Sequence, residues 1–223
     1  MSTWPPHPPP RPPFTPPPGE PGTPWEPLPR PSSRPYDHPH TLVVESRADW
    51  LAERMLEQRI VTLSGKLGNA NANHAAASLA LLDASGDGPV QLRLSDVEAD
   101  LDIALTLLDT LDLMTVPVHA SCLGQLSGAA VVLLAVADRR TATQHSSVQL
   151  REPRTEHSGV AREVAAHADE HRRRLDSLQQ RIAAACGQSA EAVASDMRSG
   201  RVLTAEEARG YGVVDTIAGS SHS

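Results

Sequence analysis

Apolar and polar positions divide this chain into short, alternating elements from about residue 59 onward. Arg59-Ile60-Val61-Thr62-Leu63 is a β-branched run closed by Ser64-Gly65, which predicts a strand. From Asn73 to Ser85 the chain is rich in Ala and Leu, and Ala75, Leu79 and Leu82 fall on one helical face. Gly86-Asp87-Gly88-Pro89 is a turn, and Val90-Gln91-Leu92-Arg93-Leu94 alternates as a half-buried strand does. Leu101, Leu105 and Leu108 mark a second amphipathic helix, and Val116 to Cys122 reads as a buried strand. The stretch Gly124 to Leu134 then reads as a tight turn opening an apolar helix, with Ser127 at the junction. Strands alternating with helices at this spacing predict an α/β domain with a mainly parallel sheet.

Beyond it, Gly159 to Ala185 is helical in pattern, rich in Arg and Ala, and free of proline. At 1.5 Å per residue it reaches roughly 40 Å, more than a domain this small can cover, so it predicts an arm projecting to a partner or to a second copy. Gly187-Gln188-Ser189 ends that helix and caps a short one. Thr204-Ala205-Glu206-Glu207 is a capping box, and Gly210-Tyr211-Gly212 stops the last helix.

Composition adds a boundary. Seventeen of the 20 prolines lie between Pro5 and Pro39, so residues 1–40 cannot build helix or sheet. They are expected to be a disordered, partly polyproline-II tail ahead of a domain over 41–223, either recruiting SH3- or WW-like modules or acting as a passive tether. The tail's three Arg and three acids cancel, so the net charge of −7 belongs to the domain and argues against nucleic-acid binding. No apolar run approaches 18 residues and no charged-then-apolar leader is present, so neither a membrane nor secretion is indicated and a cytoplasmic location is expected. Cys122 and Cys186 stand in apolar surroundings and read as two buried thiols.

Five runs carry a family likeness: Glu57-Gln58-Arg59-Ile60-Val61-Thr62-Leu63-Ser64-Gly65, Leu107-Leu108-Asp109-Thr110-Leu111, Cys122-Leu123-Gly124-Gln125, Thr204-Ala205-Glu206-Glu207-Ala208 and Tyr211-Gly212-Val213-Val214-Asp215. In their order and spacing, across residues 50–217, they resemble ClpP, the serine peptidase subunit of the Clp protease, within the wider ClpP/crotonase fold. The resemblance implies a repeated ββα superhelical core, a projecting handle helix, seven-membered rings stacked face to face, and a Clp-family ATPase as partner through the assembly.

The catalytic positions of that family are altered here. Its nucleophile stands four residues after the glycine of a Gly-Gln-Ala-Ala-Ser turn, and four residues after Gly124 is Gly128. Ser127, one position early, is either a fallback nucleophile or a helix N-cap serine. The family's histidine corresponds to Arg151 in Leu150-Arg151-Glu152-Pro153, and a guanidinium stays protonated at any useful pH. His145 and His157 flank it and read as loop or surface residues. Asp196, nine residues after Gly187, matches the family's aspartate. The family's Ser-Pro-Gly-Gly run, which serves the oxyanion, is replaced by Asp96-Val97-Glu98-Ala99, followed by Asp100 and Asp102. That run reads as a solvated acidic loop rather than a metal site. His167 and His171, one helical turn apart, lack a third ligand, so no metal and no cofactor are expected. Arg172-Arg173-Arg174 reads as a solvated helix face or a contact for an acidic neighbour.

Two expectations follow. Arg151 and Asp196 form a charge-assisted pair that fills the vacant site; otherwise Arg151 reaches solvent and Asp196 caps a turn. The chain works as a non-catalytic subunit, joining itself or active ClpP paralogues much as ClpR subunits do. The alternatives are an ATP-dependent serine endopeptidase using Ser127, and a self-assembling crotonase-fold binding protein. Active ClpP docks its ATPase in pockets lined by aromatic rings, and the domain has only Trp50 and Tyr211, which puts direct docking in question.

Overall fold

The computed structural model describes residues 47–153 and 161–219, with side chains over 50–153 and 167–219. The proline-rich tail and His157 lie outside the described residues. Helix α1 (Arg47–Glu57) leads into β1 (Ile60–Lys66). Then come α2 (Asn69–Ala84), β2 (Val90–Ala99), α3 (Leu101–Leu113), β3 (Val118–Gly128), α4 (Val131–Ala135) and β4 (Arg139–Thr143). After β5 (Ser147–Gln149) follow α5 (Ala161–Cys186), α6 (Ala190–Ser199), β6 (Val202–Thr204), α7 (Ala205–Tyr211) and β7 (Thr216–Ala218).

The strands lie in the order β1-β2-β3-β4-β7, all parallel. A chain that moves steadily across a parallel sheet, with crossovers of one hand, stacks its helices on one side. Accordingly α2 packs on α3 and α3 on α4. Val61, Leu92, Leu94, Ala120, Cys122 and Ala142 are buried beneath them. The alternate positions form rows across the other face: Ile60, Gln91, His119 and Arg139 in one, and Thr62, Arg93, Ser121, Thr141 and Thr216 in the next. Cross-strand contacts within those rows join Gln91 to His119 at 3.2 Å and Thr141 to Thr216 at 3.2 Å.

Three neighbouring strands break step along one line. The register shifts at Ser64/Gly65 in β1 and between Ser95 and Val97 in β2, and β3 leaves β4 after Cys122 and takes β5 from Gln125. Each break carries a left-handed residue: Gly65 at φ 69, Asp96 at φ 51 and Gly124 at φ 73. Such bulges turn a strand while keeping it in the sheet. The sequence pattern therefore stops short: β2 and β3 continue past the expected ends at Leu94 and Cys122. The Asp96–Ala99 run expected as an acidic loop is strand, and the expected turn at Gly124–Ser127 is also strand. The apolar helix starts later, capped at Ala130, so Ser127 is not its N-cap.

Helix α5 buries Leu178 and Ile182 near its C-terminal end, and Arg172, Arg173 and Arg174 before them are exposed. Arg174 and Arg181 tie it to Asp102 and Asp112 of α3, while Arg172 and Arg173 pair within the helix with Asp169 and Glu170. Ser189 caps α6 and Thr204 and Glu207 form the capping box of α7, as the sequence predicts. Arg140 closes the domain: its guanidinium pairs with Asp215 and donates to the carbonyls of Ala185 and Gly212 at 3.0 and 2.8 Å. Both cysteines are free and buried, and burial pushes each thiol up to about 11.

Two predictions follow. A Cβ on Gly124 would lie 2.2 Å from Asp96 Oδ1, which accepts the Gln125 N–H at 2.9 Å. Gly124→Ala should cost about 2 kcal/mol or more in urea unfolding. Because Asp96→Gly removes the collision, the double variant should lose less than the sum of the two single losses. Secondly, the hydrogen bond from Arg140 holds the Asp215 carboxyl below its ordinary 3.8. Its stabilising effect is complete above that value and lost as pH falls through the lower folded value. Asp215→Asn should therefore flatten the fall of the urea midpoint on acidification.

Candidate functional site

Past the crease, the strands bring distant residues into register. Glu98 of β2 stands beside Ser127 of β3, Ala99 beside Gly128, and Ser127 beside Gln149 of β5. Side chains alternate along a strand, so Glu98, Ser127, Gln149 and, two residues on, Arg151 share a face. The backbone around Arg151 is fixed on its other side: Leu150 N–H donates to Arg201 O at 2.8 Å and Glu152 N–H to Met197 O at 3.1 Å.

On that face Arg151 Nη2 donates to Glu98 Oε1 at 2.6 Å. Arg151 Nε is buried with no acceptor, so the fork is only half used. Gly128 ends β3 at φ 67, and Ala129, Ala130 and all of α4 are buried behind it. A Cβ placed on Gly128 would meet Ala99 O at 3.5 Å and Arg151 O at 3.9 Å, ordinary contact distances. The positions that the sequence resemblance matches to a nucleophile, a base and an oxyanion run thus lie near one another. They bring together a glycine, a guanidinium and a carboxylate.

Ser127 is buried at 6% exposure. Among the described residues no imidazole bonds to it. His119 is engaged with Gln91, and His145 sits in the exposed turn between β4 and β5. His171 lies on α5 in a cleft of about 700 Å³ lined also by Glu152, Pro153, Leu175, Gln179 and Arg198, its Nε2 buried without a partner.

Asp196 is placed differently from the expectation. Its carboxylate accepts from Arg201 Nη1 at 3.2 and 3.3 Å and from the Tyr211 hydroxyl at 2.9 Å. Arg201 also lies 5.6 Å from the centre of the Tyr211 ring. Burial and the Asp196 carboxylate push the Tyr211 hydroxyl well above its ordinary value. The expected Arg151–Asp196 pair is therefore not formed. Asp196 is already held by two donors, and Glu98 gives Arg151 a carboxylate across the strand row. Sequence reasoning named Glu98 but not as this partner, since 53 residues separate it from Arg151. Arg201 was not singled out, and Tyr211 only within a helix stop and a family run and as a scarce aromatic; neither carries a local signal of contact with Asp196.

A parallel sheet wound in one direction, with helices on one face and a long helical arm, is the architecture of the ClpP-like folds. The chain matches the Clp protease family over residues 44–221, and it belongs to that family. It is similar to ATP-dependent Clp protease proteolytic subunit 1 of Rhodopirellula baltica, with 31% identity over 75% of each chain. Proteolytic subunit 1 of Thermobifida fusca shares 29% identity over 74% of this chain and 76% of the relative. Proteolytic subunit 3 of Rhodococcus jostii shares 30% over 77% and 87%. Among the described residues no helix is long and apolar enough to cross a membrane.

The Glu98–Arg151 pair is part-exposed, which limits its strength. A double-mutant cycle with Glu98→Ala and Arg151→Ala, read by urea unfolding, should give a coupling energy of about 1 kcal/mol. A coupling of zero would mean the two side chains do not interact in solution.

Proposed function

We propose that this chain is a non-catalytic subunit of an ATP-dependent Clp protease complex. The Arg151–Glu98 ion pair is the observation that carries this reading. Peptide hydrolysis by a serine enzyme needs a hydroxyl, a base to take its proton, and donors aimed at the developing oxyanion. At the matching positions Gly128 has no hydroxyl and the Arg151 guanidinium has no lone pair to accept a proton. The Glu98 carboxylate would repel an oxyanion formed beside it. The pair neutralises both charges, so the altered positions support one another instead of leaving a defective site open.

Ser127 offers a hydroxyl on the same face but lies buried and without an imidazole among the described residues, which argues against its use as nucleophile. The names of the relatives support membership of an ATP-dependent Clp complex. In this reading the chain joins active ClpP paralogues, or copies of itself, in a ring or double ring, with α5 as a contact arm and a Clp-family ATPase reached through the assembly. A cytoplasmic location accords with this role.

Tagged chain recovered from its own cells is expected to co-purify with a catalytic ClpP relative. Ser127→Ala should leave the peptidase rate of that complex unchanged, whereas replacing the partner's nucleophilic serine should abolish it. Peptide cleavage by this chain alone, lost in Ser127→Ala, would contradict the proposal.

A further inference from the structure

Asp196, Arg201 and Tyr211 line a cavity of about 550 Å³ between α6 and α7, together with Gln188, Glu207 and Gly210. None of these residues takes part in the Glu98–Arg151 pair. Tyr211 is buried there, and its hydroxyl donates to Asp196 at 2.9 Å. Burial and that carboxylate push the phenol well above its ordinary value, so it keeps its proton and holds Asp196 in place. An aromatic ring beside a fixed carboxylate favours a cation, and a guanidinium already stands there: Arg201 lies 5.6 Å from the ring centre. Its hold is loose. Nη1 alone reaches Asp196, at 3.2 and 3.3 Å, where charge-assisted bonds run nearer about 2.8 Å, and the side chain is half exposed. The backbone of Arg201 is fixed independently, by its N–H to Asp196 O at 3.1 Å and its carbonyl to Leu150 N–H at 2.8 Å. The side chain can therefore leave without disturbing the fold.

The cavity also holds acceptors that nothing in the chain fills. Glu207 Oε2 takes both the Thr204 N–H and hydroxyl, and Gln188 Nε2 donates to Tyr211 O. The Oε1 atoms of Glu207 and Gln188 have no hydrogen bond among the described residues. Two carboxylates face one guanidinium, which leaves the cavity negative. Gly210 is a separate sign. It lies inside α7, outside the left-handed region, and a Cβ there would meet nothing within 4 Å. Glycine weakens a helix interior and the backbone does not call for it here, so what it provides is an open mouth to the cavity. We infer that this cavity binds a guanidinium group from outside the chain, which replaces Arg201 against Asp196 and Tyr211 and reaches Glu207. A planar guanidinium suits these partners better than an ammonium, because it stacks on the ring and forks to a carboxylate. Arg201 is then a resident competitor. The inference does not depend on whether the site at Gly128 is catalytic.

The test is isothermal titration calorimetry of the full chain with acetyl-arginine-methylamide, its neutral isostere acetyl-citrulline-methylamide, and methylguanidinium. Both guanidinium compounds should bind, added salt should weaken them, and the citrulline compound should not bind. Tighter binding of the arginine compound would identify an arginine side chain as the source, and equal binding a free guanidinium. Asp196→Asn should weaken binding at least about tenfold. Arg201→Gln should strengthen it, a sign that a merely structural role would not give. Gly210→Leu should block it while the urea midpoint stays undiminished, and this variant decides the matter if Asp196→Asn does not fold. No binding of either guanidinium, equal binding of citrulline, weaker binding in Arg201→Gln or unchanged binding in Gly210→Leu would each overturn the inference. Calorimetry involves no peptidase readout, so its failure is separable from failure of the proposed function.

Discussion

The contact of the Asp96 carboxylate with the bare backbone at Gly124 governs how this sheet is shaped. Asp96 stands at φ 51 and accepts the Gln125 N–H, and Gly124 at φ 73 leaves it the necessary room. With Gly65 in the neighbouring strand, these residues bend β1, β2 and β3 along one line. Without that bend β3 would have no reason to exchange β4 for β5. That exchange brings Arg151, just past the end of β5, over the residues at the end of β2. Every later feature of the site depends on that geometry.

The chemistry follows from what the bent strands carry. A ClpP-like scaffold at this place offers three positions that meet: Gly128, Arg151 and the Glu98 region. A hydroxyl, an imidazole and bare N–H groups would make such a meeting reactive. In the proposed reading, a glycine with an ion pair makes it quiet. Arg151 and Glu98 need one another, because either alone would leave a part-buried charge without its partner. Asp196, which the sequence resemblance matches to an aspartate of the family, pairs with Arg201 and Tyr211 and so joins α6 to the residue before β6 and to α7.

Much of the fold was legible in the sequence because its signals are local. Ala75, Leu79 and Leu82 announced α2, Thr204 with Glu207 announced the start of α7, and the parallel sheet followed from alternation alone. The ends of β2 and β3 were not legible. Asp96 and Gly124 resemble loop residues by type, and only their meeting across strands explains why the strands continue. Gly128 and Arg151 were singled out by spacing alone. The partner of Arg151 was not, since Asp196 and Glu98 are both carboxylates and only the three-dimensional register separates them. Ser127 resembled an N-cap because it precedes an apolar helix, but the chain runs on as strand to Gly128.

The most direct measurement is intact-mass analysis of the native complex after treatment with a fluorophosphonate probe, which marks activated serines. The account predicts no adduct on this chain and an adduct on a co-purifying ClpP relative. An adduct on this chain that disappears in Ser127→Ala would contradict it and make the subunit an enzyme.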